Sequence, residues 1–387
     1  MNKRQVYLDY AAATPIDPSV AKAMEPYWTE KFHNPSAIYS PAKNVKADID
    51  GFRQGIAAAI GVKNSEIIFT AGATEANNLA VYGVIADYPK GHIITTEIEH
   101  DSVLEPIKRL ASMGAKVTYL KPDEKGIISV REAVSAITEE TVLVSIILAN
   151  NELGTIQPVS KIADELTKLK KQRIKNGNQL PLIFHTDAAQ AMNYLETYPK
   201  RLGVDLMSFN GSKIYGPKQI GALFINSGVS LSPLILGGGQ ERGYRSGTEN
   251  TAYIAGFCAA VKTTAEIRKT EVERLRALQK YFIDRLLNSF ERTILNGSVK
   301  RRLPNNVHIT FEGVDNERLI YELDEMGIFA ASGSACSEAA DEPSHVLSAI
   351  GLSQDQAESS VRFTLGRQTT KEDLDYVIDC LKDILKV

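Results

Sequence analysis

The sequence predicts an α/β protein: a large domain around a mostly parallel, seven-stranded sheet, joined to a smaller α+β domain. Three observations predict it. Seven short apolar runs between about residues 66 and 225 alternate with longer amphipathic or polar stretches, and such β–α alternation packs helices on both faces of a parallel sheet. The chain has 387 residues, more than one ordinary domain holds. Beyond about residue 265 the alternation gives way to one long helical pattern and then to mixed strands and helices.

The runs, in order, are Glu66–Thr70, His92–Thr95, Lys116–Leu120, Val142–Leu148, Leu180–Phe184, Leu206–Phe209 and Gly221–Ile225. Their Ile, Val and Leu content and their bounding polar or glycine-containing segments mark them as strands. Val272, Leu275, Leu278, Phe282 and Leu286 then recur at steps of three and four, which describes an amphipathic helix. Val307–Phe311 and Ser360–Thr364 read as strands, Glu317–Met326 and Lys371–Leu385 as helices. The domain junction is expected near residues 260–265, giving a large domain over 15–262. A small domain is expected over 263–387, with residues 1–14 packing on it because an opening strand needs a sheet to join.

Composition narrows the function. The chain is 43% hydrophobic and 24% charged with a net charge of −3, so it carries no electrostatic footprint for direct nucleic-acid or anionic-membrane binding. No apolar run approaches the ~20 residues needed to span a bilayer. Two basic residues open the chain with no apolar stretch after them, so no secretory signal is read there. Cys258, Cys336 and Cys380 are odd in number and far apart, without a C-x-x-C pair. That excludes a disulfide framework or a cysteine zinc site and places the chain in a reducing, cytoplasmic compartment.

The chemistry gathers at the expected strand ends, where ligands of open α/β sheets bind. Asp187 follows the Leu180–Phe184 run and Lys213 follows Leu206–Phe209. Taken singly, they read as a helix cap and a solvated loop charge. Delivered to one sheet edge, an acid and an amine suit pyridoxal 5'-phosphate (PLP): the amine holds the aldehyde as a Schiff base and the acid keeps the ring nitrogen protonated. Gly72-Ala73-Thr74, after the first run, opens a helix whose free N–H groups and Thr74 hydroxyl form an anion cradle, or simply cap the helix. There is no G-x-G-x-x-G after a strand and no Walker lysine.

His100, in Glu97-Ile-Glu-His100-Asp-Ser102, has a pKa range suited to proton transfer above a bound ring, or is structural. Asn150 and Asn151 offer neutral donors, or form a turn before Gly154. Gln190, three residues past Asp187, reaches toward a ring hydroxyl. Arg362 and Arg367 bracket Phe363-Thr-Leu-Gly366, and a guanidinium there suits a substrate carboxylate or a surface ion pair. Cys336 lies among small residues in Ala331-Ser-Gly-Ser-Ala-Cys336-Ser-Glu, a loop composition that fits nucleophilic chemistry better than packing. Cys258 and Cys380 sit in apolar helical patterns and read as buried.

Together these segments closely resemble the cysteine desulfurases of the class V aminotransferase-like PLP enzymes, of the IscS/NifS type. The resemblance runs from Tyr7-Leu-Asp-Tyr-Ala-Ala-Ala-Thr-Pro15 to Val361-Arg-Phe-Thr-Leu-Gly-Arg367. It includes Asn34-Pro35, Gly72–Asn78, Glu99-His100, Asn150–Gly154, Asp187–Gln190, Lys213–Pro217, Gly237–Gly243, Arg245–Asn250 and Ser332–Cys336. It implies fold-type I PLP architecture and a homodimer. Lys213 is then the Schiff-base lysine, with Asp187 under the pyridinium, Gln190 and Asn151 near the ring oxygen, and His100 stacked on the ring. The phosphate is held by Ala73, Thr74, Asn210 and Ser212, with Thr248 of the second subunit completing the cradle.

Further implications concern the substrate. L-Cysteine is bound through Arg362, Asn151 and Asn34, and Cys336 takes its sulfur as a persulfide, leaving L-alanine. The loop before Pro343-Ser-His-Val-Leu resembles that of the mobile-loop subgroup. A sulfur-acceptor protein is implied, either an iron–sulfur scaffold or a thiolation relay, and no metal. Where relatives usually show Ser-x-His-Lys, this chain has Asn210-Gly-Ser212-Lys213. It ends soon after its last helix, so a shorter scaffold-docking tail than in some relatives is expected. The alternatives are a selenocysteine lyase or another class V aminotransferase. A non-catalytic partner of sulfur carriers is disfavoured by the intact set of Lys213, Asp187 and Cys336.

Overall fold

In the structure, a computed structural model, residues 4–333 and 344–386 are described; Cys336 and its neighbours lie outside them. The strands are β1 (Val6–Tyr7), β2 (Ile67–Thr70), β3 (His92–Thr96), β4 (Val117–Leu120), β5 (Thr141–Ser145), β6 (Ile183–Asp187), β7 (Leu206–Asn210), β8 (Gly221–Ile225), β9 (Thr293–Leu295), β10 (Asn306–Phe311), β11 (Ile328–Phe329) and β12 (Ser360–Thr364).

The main sheet has seven strands in the order β2-β8-β7-β6-β5-β3-β4. From β7 to β4 neighbours run parallel, while β8 enters antiparallel between β2 and β7. Side chains alternate across it as the two-residue pleat demands. Ile93, Leu143, Ile183, Leu206 and Leu223 share one core with Leu79 and Val103. Ile94, Val144, Phe184, Met207 and Phe224 belong to the opposite core with Ile254 and Phe257. Every residue of β3, β5, β6 and β8 is buried, as in a sheet covered on both faces.

Two strands differ from the expected spans in a way that bears on chemistry. β6 begins at Ile183 and continues through His185 and Thr186, so Asp187 is its last residue rather than lying beyond it. His185 is satisfied inside the sheet by Ser145 and Ser208, and burial pushes its pKa down to about 3. β5 ends at Ser145, three residues short of the apolar run. The chain still tracks β6 there, with Leu148 N–H donating to the Asp187 carbonyl at 2.9 Å.

A second, antiparallel sheet has the order β12-β10-β9. β1 pairs in parallel with β11, and Asp9 bridges Thr364 of β12. The helix Thr251–Ser289 runs unbroken for 39 residues, past the expected junction, and packs on the helices Pro18–Met24, Ser40–Ala59 and Lys371–Leu385. Cys258 and Cys380 are buried in helices. Among the described residues no helix is long and apolar enough to cross a membrane, and no His, Cys, Asp and Glu cluster suits a metal ion.

Candidate active site

The site is built at the carboxyl ends of β6 and β7. These neighbours pair in register at Asp187 and Ser208, so Asp187 closes one strand while Lys213 follows three residues after the other ends at Asn210. Asp187 is 4% exposed. No helix follows for it to cap. Its Oδ1 accepts from Ala189 N–H at 2.8 Å, its Oδ2 from Asn77 Nδ2 at 2.7 Å.

Lys213 and Gln190 meet at one atom. The Lys213 ammonium donates to the Ala11 carbonyl at 2.7 Å and also to that of Ala12, and Gln190 Nε2 donates to the same Ala11 oxygen at 2.9 Å. The N-terminal segment thereby comes over the sheet edge, with Thr14 N–H donating to the Ser212 carbonyl at 3.0 Å. Lys213 is thus no solvated loop charge.

The helix Ala73–Asp87 supplies the cradle. Gly72, at φ +152°, turns the chain out of β2 so that the first N–H groups of the helix face a cavity of about 640 Å³. Ala73, Thr74, Asn210, Ser212 and Lys218 line it. Glu75 lines it too, but Arg245 Nε at 2.9 Å and Ala71 N–H at 3.0 Å hold its carboxylate. Asn210 donates to Ser212 Oγ at 3.1 Å and leaves a buried oxygen without a partner. A helix N-terminus, a lysine and two hydroxyls fit a phosphate dianion. With an acid and an amine nearby, the donor set fits PLP.

A second cavity of about 540 Å³ shares Thr74 and Asn78 with the first and is lined by His100. His100 is the N-cap of the helix Asp101–Ser112, its Nδ1 accepting Ser102 N–H at 3.0 Å. Glu99 beside it is fully buried; its Oε1 accepts from the Thr96 hydroxyl and Ile147 N–H while Oε2 has no partner. Burial outweighs those donors and, helped by the charge of Asp187, pushes its pKa up to about 8.

The remaining expected residues divide clearly. Arg362, 2% exposed, donates to Asp9 Oδ1 at 2.7 Å and to the Asn151 carbonyl at 3.1 Å, while its Nε is buried and unpartnered. It is tied to the N-terminal segment and to Asn151 at once. Asn150 is structural: its Oδ1 accepts Glu152 and Leu153 N–H, closing the turn before Gly154. Arg367 is structural too, pairing with Asp17 at 3.1 Å and stacking over Tyr215. Asn34 and Thr248 are exposed and line one cavity of about 210 Å³ with Trp28 and Phe32, apart from the cradle that Thr74 lines.

Cys336 lies outside the described residues, but both flanks of its segment attach at the site. Ala331 bridges Arg362 in β12, the Ser344 hydroxyl donates to Glu152 Oε2 at 2.5 Å, and the His345 ring meets the Glu99 carbonyl at 3.0 Å. Burial pushes the Glu152 pKa upward, against the donation from Ser344.

Sequence reasoning missed Asn77, Ser102, Asp9 and the Ala11 carbonyl. Only Asn77 carried a signal, an amide among Ala76, Leu79 and Ala80 on a helix face that is otherwise apolar.

A fold-type I framework with an acid, an amine and an anion cradle at the strand ends defines a class of PLP enzyme. The model of the family described as "Aminotransferase class-V" matches residues 6–377, and the chain belongs to that family. Within it, the chain is 44% identical to "Cysteine desulfurase IscS" of Dictyoglomus turgidum over 386 residues, covering 99% of this chain and 95% of that protein. Among solved structures, a NifS-like protein superposes with a TM-score of 0.91 at 32% identity over 99% of this chain and 100% of the other. A structure described as "SspA in complex with cysteine" superposes at 0.81 and 36% identity, over 93% and 99% of the two chains.

Proposed function

We propose that the chain is a PLP-dependent cysteine desulfurase that removes the sulfur of L-cysteine and releases L-alanine. The observation that carries the reading is the delivery of Asp187 and Lys213 by adjacent parallel strands to one sheet edge, beside a cradle with helix N–H groups and Lys218. PLP, when bound, supplies an electron sink that weakens the bonds of the substrate amino acid. Ala73, Thr74, Asn210 and Ser212 would hold its phosphate, Asp187 its ring nitrogen, Gln190 and Asn151 its ring oxygen, and Lys213 its aldehyde carbon.

Lys213 Nζ moves the α proton of L-cysteine. Arg362 orients the substrate carboxylate through its unpartnered Nε, with Asn151 beside it, and Asp9 keeps the guanidinium in place. Cys336, as thiolate, attacks the substrate sulfur: an S–S bond forms on Cys336 as the C–S bond breaks, and the electron pair stays with the carbon skeleton that becomes alanine. A free thiol with a pKa of ~8.5 is only a few per cent ionised at neutral pH, so a local cation or proton acceptor assists.

The persulfide then passes to an acceptor protein of an iron–sulfur or thiolation pathway. The working unit is a cytoplasmic homodimer in which Thr248, with Asn34 beside it, comes from the second subunit. Its domains divide at 15–262 against 1–14 with 263–387. The exposure of Thr248 and Asn34, together with that of Trp28 and Phe32 around them, supports this arrangement.

The test has two variants. Lys213→Ala should lose the PLP absorption band of the purified protein. Cys336→Ala should keep that band yet release no sulfide from L-cysteine with reductant present; release at the wild-type rate would remove Cys336 as the nucleophile. Selenocysteine lyase and aminotransferase activities, assayed with L-selenocysteine and an amino/keto acid pair, should be minor.

A further inference from the structure

A continuous hydrogen-bond chain joins the acid at the end of β6 to His100. Asn77 Nδ2 donates one hydrogen to Asp187 Oδ2 at 2.7 Å and the other to Ser102 Oγ at 2.8 Å. Ser102 Oγ lies 2.8 Å from His100 Nδ1, and Ser102 N–H donates to the same nitrogen at 3.0 Å. Asn77 is 0% and Ser102 6% exposed, so water does not compete for these groups.

The donors settle the directions. An amide nitrogen only donates, so Ser102 Oγ accepts from Asn77 and its own hydrogen is left for His100. A backbone N–H only donates as well, so His100 Nδ1 accepts twice and carries no proton. The neutral ring must then hold its proton on Nε2. Turning the Asn77 amide over would set its oxygen against the Asp187 carboxylate, two acceptors face to face. Instead Asn77 Oδ1 remains buried without a partner. Burying such an atom unpaired is costly, and the chain tolerates it to keep both amide hydrogens on Ser102 and Asp187.

Building on the desulfurase reading above, we infer that Asn77 and Ser102 are positioning residues that fix His100 as the Nε2–H tautomer and couple its orientation to the Asp187 carboxylate. His100 therefore meets the substrate as an N–H donor rather than as a base. A fixed dipole chain of this kind is stronger than its separate bonds because each link polarises the next.

The test reads the ring directly. 15N-histidine labelling of the holoenzyme gives signals from six histidines, and His100→Gln assigns the one of interest. The expected result is an unprotonated Nδ1 and a protonated Nε2. Ser102→Ala, which deletes one donor to Nδ1, and Asn77→Ala should each shift the Nδ1 signal, and Ser102→Thr should restore it. In parallel, kcat should fall about tenfold in both alanine variants, the rate equivalent of one hydrogen bond. KM for L-cysteine should stay within about twofold, as for an interaction made chiefly in the transition state. Ser102→Thr should recover kcat.

A wild-type ring protonated on Nδ1, or ring signals unmoved in Ser102→Ala, overturns the inference. If Asn77→Ala does not fold, the Ser102 pair decides alone. A wild-type protein with no PLP band or no sulfide release sinks the desulfurase reading instead, so the two failures are told apart.

Discussion

Glu99 holds a carboxyl where a charge is costly, and its titration should be visible in stability. Its pKa is about 8 in the folded chain, against an ordinary carboxyl value when unfolded. Between those values the folded state holds a proton that the unfolded state has released, so stability must fall as pH rises. The expected slope is about 1.4 kcal/mol per pH unit from near pH 5 to pH 8. Glu99→Gln, which is neutral throughout, should remove that slope; urea unfolding of both proteins at four pH values checks it, and parallel curves would refute it. The carboxyl is legible in the sequence only as a letter beside His100. Its protonation follows from burial and from the nearness of Asp187, 88 positions away in a chain whose local pattern records neither.

At the scale of elements, the cradle depends on a close approach of three backbones. A Cβ on Gly221, the first residue of β8, would stand 2.7 Å from the Phe209 carbonyl oxygen of β7 and 2.8 Å from the Gly72 carbonyl carbon. Neither neighbour is a flexible side chain, so Gly221→Ala must part β8 from β7 and from the start of the Ala73–Asp87 helix. Overpacking of this kind costs about 1–3 kcal/mol. The variant should unfold at lower urea concentration and bind added PLP more weakly, measured by its absorption band; unchanged PLP affinity would show that the cradle tolerates the shift. The strands themselves were legible because Ile/Val/Leu runs are local. The antiparallel direction of β8 was not, since a buried strand has the same composition whichever way it runs. The end of β6 was not legible either, because His185 and Thr186 are satisfied only by Ser145, Ser208 and the Ile146 carbonyl across strand boundaries.

For the whole molecule, the proposed dimer makes a prediction that a single subunit cannot imitate. Thr248→Asp should place a negative charge against the phosphate of the other subunit's site, and Lys213→Ala should remove the amine of its own. Each variant alone should be nearly inactive. Subunits mixed under exchange conditions should regain activity, because the Lys213→Ala subunit lends an unaltered Thr248 to a site whose Lys213 is intact. No gain on mixing would assign Thr248 to its own subunit. By itself the sequence determined the β–α alternation, the amphipathic helices and the residue types at the strand ends, Asp187 and Lys213 among them, for these are set by neighbours within a few positions. Only the tertiary structure decided that Asn77 serves Asp187 across 110 positions, that Lys213 rests on a carbonyl 202 positions away, and that Asp9 holds Arg362 across 353. Such contacts depend on how distant segments close on one another and pack, and nothing in local periodicity specifies that.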